Sequence, residues 1–203
     1  MAQLGDQIWF LGLQGSCRRG EETPQSDIDM VVIFQCISRK VLSAYREIIQ
    51  EMPYSEKACG FVSGKAELLA WPGSDLFSFY YDTLPLYGSL QEIEPLIGEA
   101  DVREAIRLQS ANLYHAACHS YLFGDIHTSL PALLKNAGFL LRTLAFLETG
   151  AYFGKKESLL QNVRPEDAFI VSLSEQELPS VELCGRLAEW AGEILRRFSP
   201  DRE

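Results

Sequence analysis

The chain has 203 residues, of which 47% are hydrophobic and 23% charged, a composition typical of globular proteins that bury a core. The net charge of −10 at pH 7 argues against nucleic-acid binding, which depends on Lys and Arg. No run approaches the roughly 20 apolar residues of a membrane span, and no signal peptide is evident at the start, so we expect a cytoplasmic protein. The five cysteines form no Cys-x-x-Cys pair, which argues against a disulfide framework or a zinc knuckle.

The first half of the chain has the pattern of a mixed sheet with helices. Apolar, β-rich runs at 7–14 and 28–34 lie between turn-forming residues and predict buried strands. Apolar residues at helical spacing predict a helix over 39–51, which Pro53 ends. Further strands are predicted at 58–62 and at about 84–88, and the pattern over 65–71 fits either a strand or a short helix.

The second half has the pattern of a helical bundle. Amphipathic spacing predicts helices over 101–123 and about 180–198, and an apolar helix over 131–150 with Gly150 as its C-cap. Pro165 has the position of a first helical residue. The sequence therefore predicts an α+β protein with two domains, a mixed sheet with helices over 1–95 and a helical bundle over 96–203.

Two aspartates, Asp27 and Asp29, stand at the start of the strand predicted at 28–34, and we call them the acid pair. Alternate residues of a strand share a face, so the two carboxylates point the same way about 7 Å apart. They repel each other unless a cation lies between them. Mg²⁺ prefers such oxygen ligands, and the upstream Gly15-Ser16 pair allows a phosphate to approach the backbone closely.

The acid pair belongs to a longer pattern, Gly15-Ser16-x-x-Arg19-Gly20, five residues, then Ser26-Asp27-x-Asp29. This string resembles the signature of the DNA polymerase β-like nucleotidyltransferases, in particular the minimal and the antibiotic nucleotidyltransferases. The resemblance implies that the acid pair binds two Mg²⁺ ions and that Ser16, with the Gly15 turn, holds the β and γ phosphates of a nucleoside triphosphate. It also places Arg19 and Ser26 in the nucleotide-binding motif.

The same segment has a plainer interpretation as a structural loop. In that case Ser26 and Asp27 cap a turn, and the arginines form ion pairs with Glu21 and Glu22.

Members of the resembled family commonly use a third carboxylate from a neighbouring strand, often as a general base. Glu67 is our candidate for this catalytic and metal-binding role because it follows the strand predicted at 58–62 by a short turn. Asp75 and Asp82 compete with it. A helix over 65–71 would make Glu67 a surface residue.

The resemblance implies transfer of a nucleoside monophosphate from a triphosphate to a hydroxyl group. The acidic surface suits an aminoglycoside-like polycation as the acceptor, and a protein is the rival acceptor. The alternative to an enzyme is a catalytically inactive nucleotide-binding or interaction module, antitoxin-like, on the same fold. Only about six residues precede the first strand, so we expect either the C-terminal bundle or the second subunit of a homodimer to cover that face of the sheet.

Two pairs of residues in the second half have alternative interpretations. His115 and His119 could bind zinc with Cys118, but half-buried bundle residues fit the pattern better. Lys135 and Arg142 are seven residues apart, so both could reach a triphosphate from one helix face. Ion pairs between helices explain them equally well.

Overall fold

The computed structural model describes residues 4–172 and 179–200. It divides into two compact units, Met1–Ile97 and Gly98–Glu203.

The first unit is built around a four-stranded mixed sheet with the order β3-β2-β1-β4. Strand β1 pairs antiparallel with both β2 and β4, whereas β2 and β3 are parallel. The strands are β1 (Ile8–Leu13), β2 (Ile28–Phe34), β3 (Ala58–Gly64) and β4 (Leu84–Tyr87). The helices of this unit are α1 (Gly15–Arg19), α2 (Arg39–Glu51), α3 (Lys65–Leu69) and α4 (Gly73–Tyr81).

Helices cover both faces of this sheet, and the alternation of side chains along β2 separates the two cores. Val31 and Ile33 pack in one cluster with Leu68 of α3 and Leu76 of α4. Val32 and Phe34 belong to the opposite cluster, together with Val41 of α2. A strand that is covered on both faces is apolar at nearly every position, which is why 28–34 could be recognised as buried.

The register of the parallel pair fixes what lies beside the acid pair. Ile28 is level with Ala58, Asp29 with Cys59, and Phe34 with Gly64. The two strands therefore begin side by side at one edge of the sheet. The residues that directly follow β3 lie at the other edge.

The second unit is helical throughout its described residues. Its helices are α5 (Glu99–Phe123), α6 (Ile126–Thr149), α7 (Lys156–Leu160), α8 (Pro165–Ser172) and α9 (Ser180–Arg197). One core joins Leu113 of α5, Leu141 of α6 and Leu187 of α9. Gly150 ends α6 in the left-handed conformation with φ 72°, as predicted for its C-cap.

The structure confirms the predicted α+β fold and adds details that the patterns missed. Segment 65–69 is helical, and the short helices α4 and α7 were not predicted. Helix α6 begins five residues before Pro131, because the Asp125 carboxylate accepts a hydrogen bond of 3.1 Å from the backbone N–H of His127 and so caps the helix. The hydroxyl of Thr128 also donates to this carboxylate and lowers the pKa of Asp125 below its ordinary value.

Among the described residues, α6 alone is long and apolar enough to span a membrane. Its apolar residues Leu133, Leu140 and Leu144 are buried in the core of the helical unit. Core helices of bundles have the same composition, so the apolar character of α6 agrees with the core helix that the sequence predicts over 131–150.

Candidate active site

The turn between β1 and α1 lies directly against the acid pair. The backbone N–H of Gln14 donates to the carbonyl of Asp29 over 2.9 Å, and the Gln14 side chain donates to Thr83 Oγ1 over 2.7 Å. Gly15 follows with φ +67°, and a Cβ at this position would overlap Asp29 Oδ2. Two separate reasons therefore require a glycine at this position. Its backbone is left-handed, and the Asp29 carboxylate occupies the space that a Cβ would need. Ser16 follows this close contact directly.

The acid pair is accessible, and no cationic side chain that the structure describes pairs with it. Asp27 is exposed just before β2, and Asp29 is half-buried as the second residue of that strand. Asp29 shares the face of Val31, and Met30 packs in the opposite cluster, as the alternation predicted. Among the described residues, neither carboxylate forms an ion pair within 4.0 Å. Two carboxylates two residues apart at the start of a strand are a donor set that fits Mg²⁺, which completes its six ligands with phosphate oxygens and water.

Arg19 is held by two carboxylates of the same unit. Its side chain is only 8% exposed, and its guanidinium forms ion pairs of 3.1 Å with Asp82 and 2.9 Å with Glu21. Asp82 follows α4, so the pair ties the end of α1 to the end of α4. The predicted nucleotide-binding role of Arg19 stays a prediction, and Asp82, which pairs with Arg19, is a weaker candidate for the third carboxylate.

Ser26 is also part of the scaffold. Its hydroxyl accepts a hydrogen bond of 2.9 Å from the backbone N–H of Thr23, and its own N–H donates to the Thr23 carbonyl. The plainer interpretation of the segment is thus correct for Ser26 and for the Arg19–Glu21 pair. Both residues shape the loop that delivers the acid pair to the sheet edge.

The structure does not bring Glu67 to the acid pair. Glu67 is exposed in α3, and its carboxylate lies against Gly64 at the end of β3. Gly64 is level with Phe34, five residues along β2 from Asp29, which corresponds to about 17 Å. The predicted catalytic and metal-binding role of Glu67 therefore conflicts with the strand register.

No other acidic residue takes the place of Glu67. Asp75 is exposed on α4. Within residues 4–172 and 179–200, no group of three His, Cys, Asp or Glu side chains is arranged to hold a metal ion.

Two cysteines, which no pattern in the sequence links to a function, lie beside the acid pair instead. Cys59 is exposed and level with Asp29 on the neighbouring strand, so both side chains point to the same face. Cys17 Sγ lies 3.5 Å from the backbone oxygen of Asp27. Cys59 has the strand position from which a third acidic side chain would reach the acid pair. Only the register reveals this position, because no sequence signal marks it.

The pairs in the helical unit also differ from expectation. His115 and His119 are exposed on α5, with ring centroids 6.3 Å apart, rather than half-buried in the bundle. Arg142 is buried and donates to the carbonyl of Gly154 over 2.9 Å. Lys135 is exposed, so the two cations of α6 do not form one basic face.

Comparisons with known proteins agree with this geometry. Residues 5–57 match the family model described as "Nucleotidyltransferase domain". That range contains the Gly15 turn and the acid pair. None of the curated protein sequences matches the chain significantly.

Two solved structures align with nearly the whole chain. The spectinomycin adenyltransferase AAD(9) from Enterococcus faecialis, solved with ATP and spectinomycin, aligns with a TM-score of 0.55 at 15% identity, over 95% of this chain and 94% of that one. A nucleotidyltransferase-like protein from Exiguobacterium sibiricum 255-15 aligns with a TM-score of 0.43 at 12% identity, over 95% of this chain and 70% of that one.

The sheet, the Gly15 turn and the acid pair thus define a nucleotidyltransferase fold. The similarity to the polymerase β-like superfamily that the motif indicated is confirmed. Over nearly its full length, the chain has the fold of the spectinomycin adenyltransferase.

Proposed function

We propose that this protein is a Mg²⁺-dependent nucleotidyltransferase that moves a nucleoside monophosphate from a nucleoside triphosphate to a hydroxyl group of a small molecule. The observation that carries the proposal is the acid pair, which forms no ion pair among the described residues. It lies at the start of β2, directly beside the Gly15 turn. Carboxylates without a partner repel each other, and the adjacent turn offers backbone N–H groups and the Ser16 hydroxyl to an anion.

Each residue of the site has a separate part in this reaction. The acid pair would hold Mg²⁺, and the Ser16 hydroxyl would donate to phosphate oxygens of the nucleotide. When bound, Mg²⁺ neutralises charge on the phosphates and lowers the pKa of the acceptor hydroxyl. The acceptor oxygen forms a bond to the α-phosphorus, the bond to pyrophosphate breaks, and the hydroxyl proton passes to water.

We infer that the acceptor is a cationic small molecule. The net charge of −10 favours the approach of a polycation. The structure of similar fold was solved with ATP and spectinomycin, which supports a nucleotide and a small molecule as the two substrates. A protein acceptor stays the rival within the enzyme proposal.

One observation favours a second candidate function, a catalytically inactive nucleotide-binding module. Glu67 lies at the far edge of the sheet, and no group of three potential metal ligands is present among the described residues. A site with only two carboxylates can still bind a nucleotide through Mg²⁺. Such a site lacks a third carboxylate that could act as a general base, because the position beside Asp29 on β3 is occupied by Cys59.

The test is transfer of label from each α-labelled nucleoside triphosphate in the presence of Mg²⁺. The acceptors are spectinomycin, a panel of aminoglycosides and a cell lysate, and both labelled product and pyrophosphate are measured. Asp27→Asn and Asp29→Asn should each reduce product formation at least about 10²-fold, because each removes a negatively charged ligand of the proposed Mg²⁺ site. Glu67→Gln is the matched control and should keep activity within about twofold, since its carboxylate lies about 17 Å along the strands.

The outcomes separate the candidates. Equal product formation by wild type and both asparagine variants would refute the proposed site. Label on a protein band alone would establish the protein acceptor. Nucleotide binding without product from any acceptor would favour the inactive module. A large loss of activity in the Glu67→Gln variant would show that Glu67 acts in the site, contrary to its placement by the β2–β3 register.

A further inference from the structure

A groove in the helical unit is lined by four arginines. It lies between the first turns of α5 and the end of α9. One part, of about 310 Å³, is lined by Arg107, Leu195, Arg196, Ser199 and Pro200. A second part, of about 330 Å³, shares Arg107, Ser199 and Pro200 and adds Arg103 and Arg197. We call the two parts together the arginine groove.

Two of these arginines have no acidic partner in the part of the chain that the structure describes. Arg196 and Arg197 are exposed in the last turn of α9. Within residues 4–172 and 179–200, neither forms an ion pair with a carboxylate. The guanidinium of Arg197 lies 5.0 Å from the centroid of the Phe198 ring, which restricts its orientation. Both guanidinium groups therefore keep their N–H donors available.

The other two arginines are held by weak ion pairs. Arg103 contacts Glu99 at 2.8 Å, and Arg107 contacts Glu104 at 2.6 Å. All four side chains are more than one third exposed. Exposed pairs of this type contribute little to stability, so either arginine can turn towards a stronger anionic partner at small cost. The groove thus holds four guanidinium groups against two carboxylates.

The end of a helix does not account for this excess of positive charge. The C-terminus of a helix carries roughly half a negative charge, which a single cation balances. Two unpaired arginines at the end of α9 exceed that requirement, and the first turns of α5 add the positive end of a second helix dipole. In a chain with a net charge of −10, such a local cluster of positive charge has the character of an anion-binding site.

We propose that the arginine groove binds a small anion that carries a diphosphate group. The planar guanidinium donates two parallel N–H bonds to a phosphate, so the two unpaired arginines match two linked phosphates. Each part of the groove has a volume at the lower end of the range for small-ligand cavities. Because the residues belong to the helical unit alone, this proposal does not depend on the function proposed for the acid pair.

Titration calorimetry of the full chain with inorganic pyrophosphate and with ADP, both in EDTA, tests the proposal. Without a divalent cation, the acid pair repels phosphate, so binding reports on the arginine groove. The variant Arg196→Gln with Arg197→Gln should raise the Kd of pyrophosphate at least tenfold. The control is Arg186→Gln, an exposed arginine on the same helix that pairs with Glu182, and it should change the Kd less than twofold.

The two ligands distinguish the sources of the diphosphate group. Equal affinity for pyrophosphate and ADP would mean that the groove recognises the diphosphate alone, and tenfold tighter binding of ADP would identify a nucleotide. Absence of binding for both ligands would overturn the proposal. It would also be overturned if the double variant bound as tightly as wild type, or if Arg186→Gln weakened binding equally. Unchanged thermal unfolding of the variants would show that they remain folded.

Discussion

Replacement of Gly15 by alanine isolates the contact between the Gly15 turn and the acid pair. Gly15 has φ +67°, and an added Cβ would overlap Asp29 Oδ2 and lie 2.9 Å from Asp29 Cγ, whereas ordinary contacts begin at 3.4 Å. Gly20, at the other end of α1, has φ +68° with nothing within 4 Å of its added Cβ. The two glycines therefore share the backbone strain but differ in the steric clash.

The expected magnitudes follow from this difference. A left-handed alanine costs about 1–2 kcal/mol, so both variants should lose roughly this much stability. Only Gly15→Ala forces the Asp29 carboxylate to move, and a displacement of roughly 1 Å in a catalytic group costs about 10²-fold in rate. We therefore expect Gly15→Ala to lose about 10²-fold in nucleotidyl transfer and to bind Mg²⁺ with ATP more weakly, and Gly20→Ala to keep activity within about threefold.

Thermal unfolding, the transfer assay and titration of each variant with ATP in the presence of Mg²⁺ check this prediction. In a chain of this size, about 1 kcal/mol corresponds to a Tm shift of roughly 2–4 °C, and both variants should show a shift of this order. If Gly20→Ala lost as much activity or nucleotide affinity as Gly15→Ala, backbone strain in α1 would explain both losses. The proposed packing of Asp29 against the turn would then be refuted.

Two further predictions concern the scaffold and the edge of the site. Asp82→Asn leaves the buried Arg19 without its second carboxylate and should lower the free energy of unfolding by about 3–5 kcal/mol. Glu21→Gln should lower it by less than about 1 kcal/mol; equal losses in urea denaturation would show that the pair is not a buried anchor. ATP with Mg²⁺ should slow alkylation of Cys59 by iodoacetamide at least about fivefold, because neighbouring strands are only about 4.8 Å apart. Cys36, exposed beyond the far end of β2, should react at an unchanged rate. Equal protection of both thiols, or of neither while ATP is bound, would contradict the placement of the nucleotide.

The sequence predicts those parts of the fold and site that depend on local patterns. Strand β2 and helix α2 were predicted with the bounds that the structure shows, because a continuous apolar run and a 3.6-residue period are local signals. Strand alternation places Asp29 on the face of Val31, but Asp27 precedes β2, so the common face of the acid pair stays a prediction. The turn at Gly15 could be anticipated because a glycine in a phosphate-binding loop meets a need of the backbone.

The sequence does not predict what depends on contacts between distant segments. Arg19 looks like a phosphate ligand in the motif, but its partner Asp82 lies 63 residues further along the chain. Glu67 looked suitable because it follows the next predicted strand, yet β3 runs parallel to β2 and carries it to the far edge. Strand direction and register are set by packing of both faces rather than by the sequence of one strand.

The register also limits the number of metal ions that the site can hold by itself. The acid pair carries two negative charges when ionised, and the neighbouring position on β3 holds a thiol rather than a third carboxylate. One divalent cation neutralises the pair, so a second ion, as the family resemblance implies, would depend on phosphate oxygens and water for its ligands. A second ion should then bind only together with the triphosphate. The replacement Cys59→Asp adds the missing charge at the correct face, and it should make the second ion independent of the nucleotide.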